Sequence, residues 1–242
     1  MAVQLVGNNK LVLDTRGENT PGTFTASAFS VSIWSKCAVS GAAWTKGTAF
    51  YGSPPRSCSF GLYTNTSGEG CRFAIGDYTG ASNEDDVGGG TASTAWNHLA
   101  GTVGGGNMYA WFNGTQVGTR ATGFTLTHGI ASYSGDENAQ MAGHFDDRFY
   151  YYGGDLAEAA FWDCQLSAGE IAALARGVSP WMIRIQSLKT YVPFLGPEQY
   201  VYATDRWGYR EWGPLKHYWR ERLTSATSEL SGYHAPVGRL VP

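Results

Sequence analysis

The sequence predicts an all-β protein: an antiparallel β-sandwich with one short helix late in the chain and an extended C-terminal arm. Short runs of strand-forming residues recur along the chain and are separated by Gly-rich turns. The 242 residues include 33 glycines and 14% aromatic residues, which suits many tight turns around a core of large rings. A chain of this length accommodates one large sandwich with an appendage.

The strands are predicted from apolar–polar alternation between turn signals. Alternation over residues 3–14 indicates a first strand or hairpin. Later strand-like runs cover residues 29–36, 48–52, 58–63, 71–76, 94–103, 107–118, 140–152 and 154–162. Asn113-Gly114 predicts a two-residue type I′ turn. Residues 191–195 are expected to lie at a sheet edge, because Pro193 has no N–H to donate to a neighbouring strand.

The one predicted helix begins after Ser167 and ends before Gly177. The Ser167 hydroxyl is placed to cap free N–H groups, and Glu170 three residues later completes a capping box. Glycine is the usual residue just past a helix end, and Pro180 prevents continuation.

This late strand and helix, GDLAEAAFWDCQLSAGEIAALARG at 154–177, resembles the closing elements of laminin G-like domains, a branch of the concanavalin A-like jelly rolls. FSVSIWSK at 29–36, WNHLAGTV at 96–103 and MYAWFNGTQVGT at 108–119 resemble the early strand and central hairpin of that family. The resemblance implies a jelly roll over residues 1–196, with the arm at 197–242. It leaves function open, because this fold hosts lectins, hydrolases, adhesion modules and viral coat components.

Charge and hydropathy argue against several partners. A formal net charge of −3 gives no electrostatic basis for binding nucleic acid or an anionic membrane. No apolar run approaches the roughly 20 residues of a membrane-spanning helix. The first residues, MAVQLVGNNKLVLDTRG, lack the features of a signal peptide, so synthesis in the cytoplasm is expected.

The sequence predicts no enzymatic activity. Jelly-roll glycoside hydrolases of family 16 carry E-x-D-x-x-E on one strand, which directs carboxylates into a cleft. The local match here is Glu84-Asp85-Asp86, but Gly89 occupies the position of the last acid. These acids are expected in a solvated loop rather than a strand.

The resemblance also implies a possible Ca²⁺ ion, since many laminin G-like relatives bind one through loop oxygens. The candidate ligands are Asp136, Asp146 and Asp147. The alternative is that they are solvated turn acids, and no other cofactor is predicted.

Glycan binding would need exposed rings beside polar side chains. Phe149 is followed by Tyr150, Tyr151 and Tyr152, and consecutive residues of a strand face both ways. At least one of these rings is therefore expected at a surface, and the three tyrosines are the candidate glycan-binding residues. The alternative is that most of the rings belong to the core.

The arm at 197–242 combines aromatic and basic residues with few aliphatic ones. Tyr, Trp and Arg are enriched at protein–protein contacts. The predicted interface residues are Trp207, Tyr209, Arg210, Trp212, Tyr218, Trp219 and Arg220.

The ending HAPVGRLVP resembles the tail of phage-encoded relatives of this domain. That resemblance predicts a structural virion protein, namely a capsid decoration protein on the outside of a phage head. Its expected partners are the major capsid protein and further copies of itself, with a trimer favoured. The alternative is a carbohydrate-binding module of a phage fibre or head appendage that binds host glycans.

Overall fold

The computed structural model describes residues 3–5, 11–12, 27–37, 46–52, 58–65, 70–77, 84–91, 93–124, 140–141, 154–192, 200–204 and 210–214. The strands are β1 (Val3–Leu5), β2 (Leu11–Val12), β3 (Phe29–Cys37), β4 (Lys46–Gly52), β5 (Cys58–Asn65), β6 (Cys71–Asp77), β7 (Glu84–Gly89), β8 (Asn97–Gly104), β9 (Asn107–Phe112), β10 (Thr115–Ala121), β11 (Gln140–Met141), β12 (Gly154–Trp162), β13 (Leu188–Val192), β14 (Tyr200–Thr204) and β15 (Arg210–Pro214). The helix is α1 (Ala168–Ala175), followed by a 3-10 turn, η1 (Pro180–Met182).

The strands form two antiparallel sheets, as the sequence predicts. The large sheet has the order β10-β9-β8-β3-β12-β13-β14-β15, and β1 also pairs with β12. The small sheet has the order β2-β11-β4-β5-β6-β7. Strands β1 and β2 therefore belong to different sheets, so the N-terminal segment is not the hairpin that its alternation allowed.

The core between the sheets is built from phenylalanine rings. Phe29 lies 5.6 Å from Phe161 and 6.0 Å from Phe73, measured between ring centroids. Phe60 and Phe161 are 5.5 Å apart, and all four side chains are fully buried. On β8, a Cβ added to Gly101 would lie 2.2 Å from the Phe73 ring. The absence of a side chain at Gly101 thus lets the two sheets approach.

A second core lies on the other face of the large sheet, because successive residues of a strand point to opposite faces. Ala100, the neighbour of Gly101, packs with Trp111 and Trp162 from the sheet and with Ile171 and Leu174 from α1. Strands β8, β9 and β12 are consequently covered on both faces. We call this the helix side of the sheet.

Helix α1 begins and ends as predicted. The Ser167 Oγ accepts a hydrogen bond from the Glu170 N–H, and the Glu170 side chain accepts one from the Ser167 N–H at 2.7 Å. This is the reciprocal capping box. Gly177 follows the helix with φ +85°, a backbone conformation that glycine adopts without strain. The described part of the chain contains no helix long and apolar enough to cross a membrane.

The Asn113-Gly114 turn also forms as predicted. Asn113 has φ +51° and Gly114 has φ +80°, and both values are positive as a type I′ turn requires. A Cβ added to Gly114 would lie 2.9 Å from the Ala175 Cβ. The turn therefore packs directly against α1.

Two expectations about strands are wrong. Glu84–Gly89 forms strand β7 rather than a loop, because its backbone pairs with β6 over six residues. The predicted edge strand ends at Val192, before Pro193, and β13 has neighbours on both sides, β12 and β14. Beyond the jelly roll predicted for residues 1–196, β14 pairs with β13 and with β15, which extends the large sheet.

Candidate functional site

Most of the site residues predicted from the sequence lie outside the described residues. These are the candidate calcium ligands Asp136, Asp146 and Asp147, the tyrosines Tyr150, Tyr151 and Tyr152, and the interface residues Trp207, Tyr209, Tyr218, Trp219 and Arg220. Arg210 and Trp212 are in β15, where they pair with Thr204 and Tyr202 of β14. They occupy the outermost strand at that end of the sheet order. No cluster of three metal-ligating side chains occurs among the described residues.

Asp85 and Asp86 of β7 are bound by arginines. Asp86 forms an ion pair with Arg72, and Arg120 reaches Asp85 at 2.9 Å and Asp86 at 3.3 Å. Arg120 belongs to β10 of the large sheet, so its guanidinium links the edges of the two sheets. The Asp86 carboxylate is thus paired with two guanidinium groups, one from β6 and one from β10. This arrangement is more consistent with a structural contact between the edges of the two sheets than with glycoside hydrolysis.

A cleft of about 370 Å³ opens on the helix side of the large sheet, within the range of small-molecule pockets. The sheet contributes aromatic and amide side chains, the segment entering α1 contributes polar groups, and the segment after η1 contributes an arginine. The lining residues are Tyr109, Trp111, Gln116, Gln165, Leu166, Ser167, Ala168 and Arg184. We call this the helix-side cleft.

The two rings of the helix-side cleft come from alternate positions on β9, so they share one face of the sheet. The indole of Trp111 is only 6% exposed, and its Nε1–H donates to the Thr102 Oγ1 at 3.0 Å. Tyr109 is half-buried. Trp111 therefore forms a fixed floor, while Tyr109 offers part of its ring to the cleft.

The segment entering α1 is anchored to β3 through one buried hydroxyl. The Ser30 Oγ donates to the Cys164 carbonyl at 2.8 Å and accepts the Leu166 N–H at 2.8 Å. A Cβ on Gly104 would lie 2.1 Å from the Gln165 Oε1, so Gln165 lies directly over this glycine. These contacts fix the polar wall of the cleft.

Contacts to the Arg184 side chain and to the preceding backbone hold this residue in place. Its Nε donates to the Glu170 Oε1 at 2.5 Å, and the Trp162 Nε1–H anchors the preceding Ile183 carbonyl at 2.8 Å. Arg184 has φ +40°, a conformation that is costly for a residue with a side chain. The structure thus maintains a strained backbone at the residue that brings a positive charge to the cleft.

The capping box and the arginine share Glu170. Partial burial acts to raise the pKa of Glu170, but hydrogen bonds from Arg184 and Ser167 outweigh it and leave the pKa below its ordinary value. The hydrogen bond to Glu170 and the charge of Glu170 raise the pKa of Arg184. Both groups are therefore charged over the whole neutral range.

A second polar cluster lies at an irregularity in the pairing of β12 with β3, between Ala157 and Ala160. Glu158 has φ +53° there, and its Oε2 accepts a hydrogen bond from the Tyr191 OH at 2.5 Å. Burial raises the pKa of Glu158, although the bond from Tyr191 opposes this. Glu158 and Tyr191 do not line the helix-side cleft.

The sequence interpretation missed the helix-side cleft. One signal was available: MYAWF places Tyr109 and Trp111 two residues apart, and therefore on one face of a strand. Gln165 and Arg184 gave no comparable signal. Their positions depend on how α1 and η1 pack onto the sheet, which no local pattern encodes.

The family comparison agrees with this architecture. A laminin G family model, described as the concanavalin A-like lectin/glucanases superfamily, matches residues 14–172. This chain belongs to that superfamily. No curated protein sequence matches the chain.

Two solved structures share the fold at low sequence identity. The CBM40 module of the Ruminococcus gnavus IT-sialidase, solved with α2,3 sialyllactose, is 13% identical with a TM-score of 0.54, over 72% of this chain and 96% of that one. A Bacteroides ovatus protein whose name proposes carbohydrate binding is 14% identical with a TM-score of 0.59, over 88% of this chain and 57% of that one. At these identities the likeness establishes the jelly-roll fold alone.

Proposed function

We propose that this superfamily member is a carbohydrate-binding protein and that its helix-side cleft holds the sugar. The observation that carries the proposal is the placement of Tyr109 and Trp111 beside two amide side chains, Gln116 and Gln165. A pyranose ring has apolar C–H faces and a polar rim. Aromatic rings contact the apolar faces, and amide groups donate hydrogen bonds to and accept them from the hydroxyls of the polar rim.

The relatives support the same function class. The Ruminococcus gnavus module binds sialyllactose, and the family model spans a superfamily of lectins and glucanases. Binding without hydrolysis is favoured here because the described lining of the cleft contains no carboxylate. Two acids of the hydrolase-like sequence, Asp85 and Asp86, form ion pairs with Arg72 and Arg120.

The capsid decoration role predicted from the sequence is supported neither by the fold nor by the comparisons. A phage origin, a capsid protein partner, a trimer and a virion location remain predictions. A glycan-binding jelly roll is compatible with a fibre or head appendage, so the carbohydrate-binding alternative is the one that we carry forward.

The decisive experiment is a glycan array with the full chain, followed by isothermal titration calorimetry with the best ligand. Tyr109→Ala removes the partly exposed ring while leaving the Trp111 floor in place. We expect it to weaken binding about tenfold or more, since stacked rings contribute on the order of 1–2 kcal/mol.

Trp181→Ala is the matched aromatic control. Trp181 is 36% exposed and is not part of the cleft lining, so its removal should leave the affinity within about twofold. Equal losses in the two variants, or no saturable binding by the wild type, would exclude the helix-side cleft as a sugar site.

A further inference from the structure

We infer that the helix-side cleft selects sugars that carry a carboxylate, such as hexuronic or sialic acid residues; this inference rests on the proposed function. Its basis is the charge of the cleft. Among the described lining residues, Arg184 is the only one with a formal charge, and the remaining polar groups are two neutral amides and a hydroxyl. A neutral hexose would leave that guanidinium without an anionic partner in the ligand.

The orientation of Arg184 leaves donors available. A guanidinium carries five N–H groups. The Nε–H is given to Glu170, and the side chain also has a hydrogen bond with Cys164. The side chain is 47% exposed, so its outer edge remains accessible to a ligand in the cleft. A planar fork of N–H groups matches a carboxylate in a two-point contact.

The helix start adds to this preference. Ser167 and Ala168 line the same cleft, and the first intrahelical backbone bond runs from the Ile171 N–H to the Ser167 carbonyl. The N–H groups of Ala168 and Gly169 therefore have no acceptor within α1, which is general for a first helical turn. The positive end of the helix dipole lies at the cleft and favours an anionic group there.

Glu170 offsets part of this positive potential, because it pairs with Arg184 and lies in the first turn of α1, but its carboxylate does not line the cleft. Its Oε2 accepts from the Ser167 N–H at 2.7 Å and from the Ser167 Oγ at 2.8 Å, and its Oε1 accepts from Arg184. Glu170 is thus the support that fixes Arg184, and it is not among the lining residues of the cleft. The aromatic floor would then hold the sugar ring while Arg184 holds its carboxylate.

The test uses pairs of ligands that share the same sugar rings and differ in the charge of their carboxyl groups. The full chain is titrated with trigalacturonate and its methyl ester, and with 3′-sialyllactose and its methyl ester. Esterification keeps the rings and removes the negative charge. We expect at least one acid to bind about tenfold tighter than its ester, the scale of one hydrogen bond to a charged group.

The variants separate Arg184 from general charge effects. Arg184→Gln should remove the preference for the acid, so that the variant binds the acid and its ester with equal affinity. Arg176→Gln is the matched control, because Arg176 is an exposed arginine at the opposite end of the same helix; it should retain the preference. If Arg184→Gln does not fold, Arg184→Lys and a salt series on the wild type test the inference instead. In the salt series, the affinity for the acid should fall as the salt concentration rises, whereas the affinity for the ester should not change.

Each outcome is distinct. Equal affinity for acid and ester, or a preference that survives in Arg184→Gln, overturns this inference while leaving sugar binding intact. Saturable binding of neither member of any pair, together with an empty glycan array, overturns the proposed function and this inference with it. A preference for the uronate or for the sialoside identifies which acid the cleft accepts.

Discussion

The two faces of the large sheet differ in chemistry although they belong to the same strands. The inner face packs phenylalanine rings against the small sheet. The helix side mixes two tryptophans with buried hydroxyls, including Ser30 and Thr102. Each of those hydroxyls has a partner that fixes a wall or floor of the cleft. One face therefore supplies stability, and the other supplies a positioned polar surface.

The largest expected effect tests the inner face. Phe161→Ala removes a fully buried ring that contacts Phe29 and Phe60, and it should lower the free energy of unfolding by about 3–5 kcal/mol. Urea denaturation measures this loss. At temperatures where the variant is still folded, glycan affinity should be unchanged, and a large loss of affinity there would show that the two faces are not independent.

His98 gives the next largest effect. It lies on the same face of β8 as Ala100, fully buried, 5.4 Å from the Trp34 ring. Neither ring nitrogen has a hydrogen-bond partner among the described residues. Burial lowers the pKa of His98 from 6.5 to about 3, so the folded protein keeps this imidazole neutral where the unfolded chain protonates it.

In the unfolded chain, His98 binds a proton more readily than it does in the folded protein. The contribution of the neutral His98 to the free energy of unfolding is therefore fully present above pH 6.5 and is lost as the pH falls toward 3. The slope from one such group is about 1.4 kcal/mol per pH unit. His98→Phe should remove it. Urea titrations of both proteins at several pH values between about 4 and 7 measure the difference, and parallel curves would contradict the assignment.

A smaller effect is expected at the contact between the hairpin turn and the helix. Gly114→Ala places a side chain at φ +80° and 2.9 Å from the Ala175 Cβ, so it should cost about 1–2 kcal/mol. Gly105→Ala is the control: φ is also positive, at +61°, but nothing lies within 4 Å of the added Cβ. The difference between the melting temperatures of the two variants measures the steric clash apart from the cost of the backbone conformation. Equal decreases in melting temperature would mean that the turn does not pack tightly against α1.

The smallest expected effect tests the helix side. Ser167→Ala removes the cap of α1 and should cost about 1 kcal/mol. Ser167→Thr keeps the hydroxyl and should cost less than half of that. Since Glu170 also fixes Arg184, Ser167→Ala should weaken binding of a carboxylated sugar as well. An unchanged thermal transition would show that the cap does not stabilise the fold.

Local signals were sufficient for some elements and not for others. The capping box of Ser167 and Glu170 and the turn at Asn113-Gly114 were predicted correctly, because each depends on residues within one turn of chain. Strand β7 was missed because its acids and glycines disfavour strands, yet pairing with β6 and ion pairs to Arg72 and Arg120 stabilise it. Tertiary context overrode propensity there.

The site was less predictable than the fold. The spacing of Tyr109 and Trp111 predicts that both rings lie on one face of a strand. The cleft also requires Arg184, which follows η1 and has an unfavourable backbone angle. Nothing near Arg184 in sequence announces that conformation. It follows from the Ile183 carbonyl being bound by Trp162 and the guanidinium by Glu170, and both partners come from other elements.

Glu170 both caps α1 and binds Arg184, so the first turn of α1 should respond when a ligand binds in the cleft. A ligand that pulls Arg184 toward itself competes for the guanidinium that Glu170 shares with the helix cap. A ligand that leaves the ion pair between Arg184 and Glu170 intact stabilises this pair instead. Amide hydrogen exchange at Glu170 and Ile171, whose N–H groups bond to Ser167, would distinguish these cases, because the first loosens the turn and the second protects it. Occupancy of the sugar site would thus be measurable in the backbone, without any label on the ligand.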